Sequence, residues 1–193
     1  HTIDQLARRA GKDPVEYRRA LYEKAGAKRH LAAMDLALEK AGPTAAEGYT
    51  RGIAVHESFG SVVAQVAEVK IAPGGLEPRV GRVVTAIDCG VAIARDQVAS
   101  QMEGGTCYGL SAALYGEVTL KDGLVQETNF DSYRVLRMNE APTVETHIVP
   151  SGNAPSGAGE PGTPVIGPAV ANALLAMGRP ATLSQPFVKP AKA

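Results

Sequence analysis

Hydrophobic and polar positions change period at about residue 52. Before it the spacing is helical. Ile3, Leu6, Ala7 and Ala10 share one face of a helix that Thr2 can cap and Gly11 stops. Asp13-Pro14 opens a second helix carrying Val15, Tyr17, Leu21 and Tyr22 and ending at Gly26. Leu31, Met34, Leu38 and Ala41 mark a third, from about Arg29 to Ala41, before Gly42-Pro43. From Gly52 the period becomes that of strands. Residues 62–71 alternate, with Val66, Glu68 and Lys70 on one side and Ala67, Val69 and Ile71 on the other. Pro73-Gly74-Gly75 is then a turn, and Arg79 to Ile87 returns as the second arm of a hairpin.

Beyond it, Val98, Met102, Leu110 and Leu114 predict a helix over Arg95 to Tyr115 with a glycine pair, Gly104-Gly105, in its middle. A glycine inside a helix costs about 1 kcal/mol relative to alanine, so the pair implies close approach to a backbone or a ligand. Lys121-Asp122-Gly123 is the turn of a second hairpin, between Glu117–Leu120 and Leu124–Thr128. Val144 to Val149 reads as a last strand. A final helix begins at Thr163-Pro164, with Thr163 as cap, and stops at Gly178 and Pro180. Val165, Val170, Ala173, Leu174 and Met177 form its apolar face, and Pro168 should bend its first turns. The expected fold class is α+β, with helices and antiparallel hairpins. Its expected divisions are a helical segment at 1–51, a main region at 52–185 and a tail at 186–193.

Between the last strand and the last helix lies Ser156-Gly157-Ala158-Gly159-Glu160-Pro161-Gly162-Thr163-Pro164. Glu160 is the only ionisable group in this glycine- and proline-rich run. Such a carboxylate can act as a general base against a bulky ligand, or it can be a solvated loop side chain. Gly157, Gly159 and Gly162 also satisfy G-x-G-x-x-G, the dinucleotide fingerprint. That reading fails on context. The preceding strand ends several residues too early for the tight turn, Glu160 would face a pyrophosphate, and no βαβ repeat follows.

Composition narrows the classes. With 193 residues, 45% hydrophobic and 21% charged, the chain can build a sizeable core. A formal net charge of +0 without a basic block argues against nucleic acid as a partner. No apolar run is long enough for a membrane span. The two cysteines, Cys89 and Cys107, lack metal-ligand spacing and read as buried thiols. The chain opens on His1 rather than Met, in a helix already under way, and reads as a fragment or processed piece. Its compartment is left open between bacterial periplasm and cytoplasm.

Several stretches then resemble the molybdenum-binding subunit of the xanthine dehydrogenase and aldehyde oxidase family, with isoquinoline 1-oxidoreductase beta subunits and related bacterial aldehyde dehydrogenases as the nearest type. They are Gly11-Lys12-Asp13-Pro14, residues 52–61 (G-I-A-V-H-E-S-F-G-S) and Ala86-Ile87-Asp88-Cys89-Gly90, then Gln101-Met102-Glu103-Gly104-Gly105 and residues 133–140 (Y-R-V-L-R-M-N-E). Gly159-Glu160-Pro161-Gly162 and residues 168–173 (P-A-V-A-N-A) complete the set. The resemblance runs from about Thr2 to Leu183. It implies a C-terminal portion of a large subunit that holds molybdopterin cytosine dinucleotide together with a missing N-terminal part. It further implies hydroxylation of an aldehyde or N-heterocycle carbon with oxygen from water. Glu160 is then the general base at the molybdenum centre, and Gln101, Gly104 and Gly159 contact the cofactor. No protein side chain is expected to ligate metal, because the molybdenum sits on the cofactor's own dithiolene. Electrons are expected to pass to 2Fe-2S clusters on a partner subunit, since two cysteines cannot supply four thiolates.

The chain departs from the family pattern at Ala176-Met177-Gly178, where Ala-Thr-Gly is usual, and at Gly167, where Ala is common. His56 and Glu57 read either as channel-lining groups ahead of a strand or as a hydrogen-bonded core edge. Asp88 either organises a loop over the cofactor or forms a structural turn. Arg134 and Arg137 flank an expected strand as interface charges. A non-catalytic binding or assembly domain sharing the fold is the alternative to an enzyme.

Overall fold

A computed structural model describes residues 1–71, 77–182 and 184–188. Three helices come first: α1 (Thr2–Arg9), α2 (Pro14–Ala25) and α3 (Lys28–Ala41). The Asp13 carboxylate caps α2, accepting from the Val15 and Glu16 amides at 2.9 and 3.0 Å. Gly26 ends α2 in left-handed backbone, φ +64°. Thr2 does not cap α1. It is the first helical residue, and His1 precedes it without a side-chain cap.

Strands β1 (Thr50–Ser58), β2 (Ser61–Ile71) and β3 (Pro78–Asp88) form an antiparallel meander, and β6 (Thr143–Ile148) joins β3 in parallel, giving the order β1-β2-β3-β6. The turn expected at Pro73-Gly74-Gly75 lies outside the described residues. Between β3 and β6 run α4 (Arg95–Tyr115), the small hairpin β4 (Leu120–Lys121) and β5 (Leu124–Val125), and a 3-10 turn at Met138–Glu140. The Asp122-Gly123 turn falls where its residues put it, with φ of +52° and +78°. The strand expected between Arg134 and Arg137 does not form. Arg134 instead stacks over the Tyr115 ring at 3.8 Å, and the Glu140 carboxylate takes hydrogen bonds from Arg134, Tyr115 and the Arg137 amide. These irregular partners replace a ladder.

The sheet separates two cores. On one face Ala33, Met34 and Ala37 of α3 pack on Ile53, Val62, Val66 and Val84. On the other, Met102, Leu110 and Leu114 of α4 and Val165, Ile166, Ala169 and Val170 of α5 (Thr163–Ala176) pack on Val63, Ala67, Val83 and Ile87. Within β2, odd positions from 63 to 67 therefore face α4 and α5. Helix α5 lies directly on β1: a Cβ at Gly52 would overlap the backbone of Ala169 and Ala173. At the far end Val188 is buried in the same core, and the Phe187 and Val188 amides donate to the Ala113 and Leu114 carbonyls at 2.9 and 3.0 Å.

Candidate functional site

The glycine run sits where β6 gives way to α5. Ser156 donates its amide to the Cys89 carbonyl at 3.0 Å, and Gly157 donates to the Phe59 carbonyl at 3.0 Å. The Ser61 hydroxyl donates to the Gly157 carbonyl at 2.6 Å and lies 2.7 Å from the Ser156 hydroxyl. The β1–β2 turn and the end of β3 thus hold the first half of the run. The second half is closed by the Thr163 amide donating to the Glu160 carbonyl at 2.9 Å. Helix α5 begins at Thr163, with Gly162 in the cap position and no side-chain cap, so Thr163 is inside the helix rather than capping it.

Glu160 is exposed, while Pro161 and Gly162 immediately behind it are buried. Gly162 packs against Met102 of α4, where an added Cβ would stand 3.2 Å from Sδ and 3.3 Å from the carbonyl oxygen. One turn further on, Gly105 faces the Thr163 hydroxyl, and Gly109 faces the Thr163 carbonyl and the Ile166 side chain. Glycines 105 and 109 are therefore explained by the approach of α4 to α5. Gly104 and Gly159 are not. A Cβ at either would meet nothing within 4 Å, and neither adopts positive φ. Gly152, earlier in the loop, is open in the same way. Gln101 is exposed, one residue before the buried Met102 on which Gly162 packs.

Gln65 was not singled out by sequence reasoning. It is fully buried, and its Nε2 donates to the Thr106 hydroxyl at 2.8 Å and to the Gly162 carbonyl at 3.2 Å. Parity could have found it. Gln65 shares the side of β2 that carries Ala67 and Val69, so a polar group stands in an apolar row.

Asp88 ends β3 and accepts from Arg29 Nε at 2.8 Å and from the Gly90 amide at 3.0 Å; Arg29 also donates to the Asp88 and Gly60 carbonyls. Burial pushes the Asp88 carboxyl up, but Arg29 and the Gly90 amide outweigh it and hold it below the usual carboxylate range. The corner it makes is the one on which Asn153 and Ser156 are hydrogen-bonded, through Val91 and Cys89. His56 and Glu57 lie inside β1 rather than ahead of a strand. Both are exposed, and Glu57 faces His30 at 3.4 Å. Cys89 is buried, Cys107 is half-buried, and burial pushes both thiols up, away from nucleophile chemistry. Among the described residues, no group of three or more His, Cys, Asp or Glu could hold a metal ion. No described helix is long and apolar enough to cross a membrane.

Comparison with known proteins gives this geometry a family. Residues 2–142 match the molybdopterin cofactor-binding domain, and the chain belongs to that family. Its fold is that of the cofactor-binding domain of molybdenum hydroxylases: the Cu,Mo-CO dehydrogenase crystal structure superposes with a TM-score of 0.56 at 22% identity over 66% of this chain and 17% of that one. The isoquinoline 1-oxidoreductase subunit beta of Brevundimonas diminuta is 35% identical over 175 residues, 89% of this chain. A membrane-bound aldehyde dehydrogenase [pyrroloquinoline-quinone] of Gluconacetobacter polyoxogenes is 35% identical over 88 residues, 46% of this chain. The chain spans 22% of the first relative's length and 11% of the second's. The family match ends before the glycine run, so Glu160 stands on the resemblance of its own motif and on the geometry above.

Proposed function

We propose that this chain contributes one wall of a molybdenum hydroxylase active site, with Glu160 as its general base. The observation that carries the reading is the arrangement of the Glu160 turn: an exposed glutamate on a buried Pro161-Gly162 anchor, bordered in sequence by a glycine that nothing among the described residues requires. When bound, a molybdenum cofactor supplies the water-derived oxygen and takes up the two electrons released by the substrate carbon. What it asks of this chain is room and hydrogen-bonding groups rather than metal ligands, and the residues fit that demand. Gly104 and Gly159 leave space where a side chain would stand. The Gln101 amide can both donate and accept at the cofactor's edge.

A Glu160 carboxylate oxygen then accepts the proton lost as the substrate carbon is attacked, from a donor about 2.6–3.2 Å away. The Glu160–Thr163 backbone bond and the packing of Gly162 on Met102 fix the turn from which that side chain extends. Substrates of the aldehyde and N-heterocycle classes fit the same base. Both classes appear in the names of the two relatives, isoquinoline 1-oxidoreductase and aldehyde dehydrogenase. The cytosine dinucleotide form of the cofactor, the remaining part of the molybdenum subunit and 2Fe-2S clusters on a separate partner complete the proposal. The name of the Brevundimonas relative, a subunit beta, supports an assembly of more than one chain.

The test is molybdenum and pterin content of the purified chain, alone and reassembled with the rest of its subunit and the iron–sulfur partner. Metal and pterin held by the assembly support the reading. Their absence from both samples would favour a non-catalytic assembly domain.

A further inference from the structure

We propose that Gln65 is the positioning residue of the Glu160 turn, a role that rests on the reading of Glu160 as base. Gln65 stands in the middle of β2, the second strand of the sheet, and reaches across the core to the Gly162 carbonyl, two residues beyond Glu160. The direction of its amide is set by its neighbours. The Gly162 carbonyl can only accept, so it must face the NH2 end. The Thr106 hydroxyl has committed its proton to the Met102 carbonyl at 2.6 Å, leaving a lone pair for the second Nε2 proton, 2.8 Å from Nε2. Both amide protons are thereby used, one on the Glu160 turn and one on α4.

The two Nε2 bonds hold the pose, and the opposite end of the amide carries no competing bond among the described residues. Among the described residues Gln65 Oε1 is buried without a hydrogen-bond partner, and so is the hydroxyl of Thr85. Thr85 is the direct cross-strand partner of Gln65 in β3, so the two side chains share one face of the sheet. Gln65 thus ties the sheet, α4 and the turn below Glu160 into one rigid unit. Such a tie matters to a base, because a displacement of about 1 Å can cost about 10²-fold in rate.

The test is a double-mutant cycle in the assembled enzyme, with Gln65→Met and Glu160→Gln made singly and together. Gln65→Met keeps the volume and removes the donor. We expect hydrogen exchange at the Thr163 amide to quicken at least about tenfold. With Glu160 present, kcat should fall about 10- to 100-fold at unchanged molybdenum content. In the Glu160→Gln background the same change should alter kcat less than about twofold, because no base is left to misplace. Thr106→Val, which removes the hydroxyl sharing the amide, should act in the same direction and serves if Gln65→Met does not fold. Equal fold-losses in both backgrounds, or unchanged exchange and turnover, would overturn the role of Gln65. Near-normal turnover by Glu160→Gln alone would overturn the reading of Glu160 instead.

Discussion

Gly109 of α4 lies against the carbonyl of Thr163 at the start of α5, so close that a Cβ at the glycine would overlap that oxygen and stand 2.9 Å from Ile166 Cγ2. This contact sets the distance between the helix that carries Gln101 and the turn that carries Glu160. Gly109→Ala gains about 1 kcal/mol of helix propensity. The clash is with backbone, so α4 and α5 must move apart, an overpacking cost of about 1–3 kcal/mol. The cost should win. Urea unfolding is expected to show a lower midpoint for Gly109→Ala, and a raised midpoint would mean that the helices are free to separate.

Gly104, five positions earlier, should behave in the opposite way. A Cβ there meets nothing within 4 Å among the described residues, so Gly104→Ala should stabilise the isolated chain by about 0.5–1 kcal/mol through backbone entropy alone. If the space belongs to the cofactor, the same variant should lower molybdenum content of the assembled enzyme several-fold. Gln101→Ala should likewise act on occupancy, since an amide cannot serve as base. Unchanged molybdenum content in both variants would remove these residues from the cofactor site.

The Arg29–Asp88 corner predicts a pH dependence. Burial disfavours the Asp88 charge, yet Arg29 and the Gly90 amide hold its carboxyl below the usual range, so the folded value lies under the unfolded one, about 3.9. A depressed carboxyl contributes stability above the unfolded value and loses it as pH falls through the folded value. Arg29→Met removes the principal charge that holds the carboxyl down, so Asp88 titrates higher than in the parent protein and the stability gained between pH 4 and pH 7 shrinks. With Arg29 partly exposed, the loss at pH 7 should be about 1–3 kcal/mol, read from urea titrations at pH 4 and pH 7. Identical pH profiles for the two proteins would contradict this account.

Much of the framework is visible in local pattern. Ile3–Ala10, Asp13–Gly26, Arg95–Tyr115 and the β2–β3 hairpin follow from spacing and stop signals, because each is satisfied by near neighbours. The parallel seat of β6 beside β3 is not local. It depends on α4 and the small hairpin crossing between them, and no period in residues 143–148 records it. Residues 134–137 mislead because β-favouring types there are claimed by Tyr115, Ser111 and Glu140 rather than by a strand. At the site, Glu160 is legible as the one charge among glycines. The distinction between packed glycines (105, 109, 162) and open ones (104, 159) needs the position of α5. Gln65 was legible in principle from its parity, but its partner Gly162 lies 97 residues away.

The most direct test of the central claim is turnover of the assembled enzyme carrying Glu160→Gln, measured with its molybdenum content. The substitution keeps shape and hydrogen bonding and removes the base. General-base catalysis is worth about 10²–10⁴-fold, so kcat should fall by at least about 10²-fold while molybdenum stays fully bound. Glu160→Asp should lose most activity too, because the shorter side chain withdraws the carboxylate from its reach. Near-normal turnover by Glu160→Gln at full molybdenum occupancy would contradict the account and leave the glycine run a structural loop.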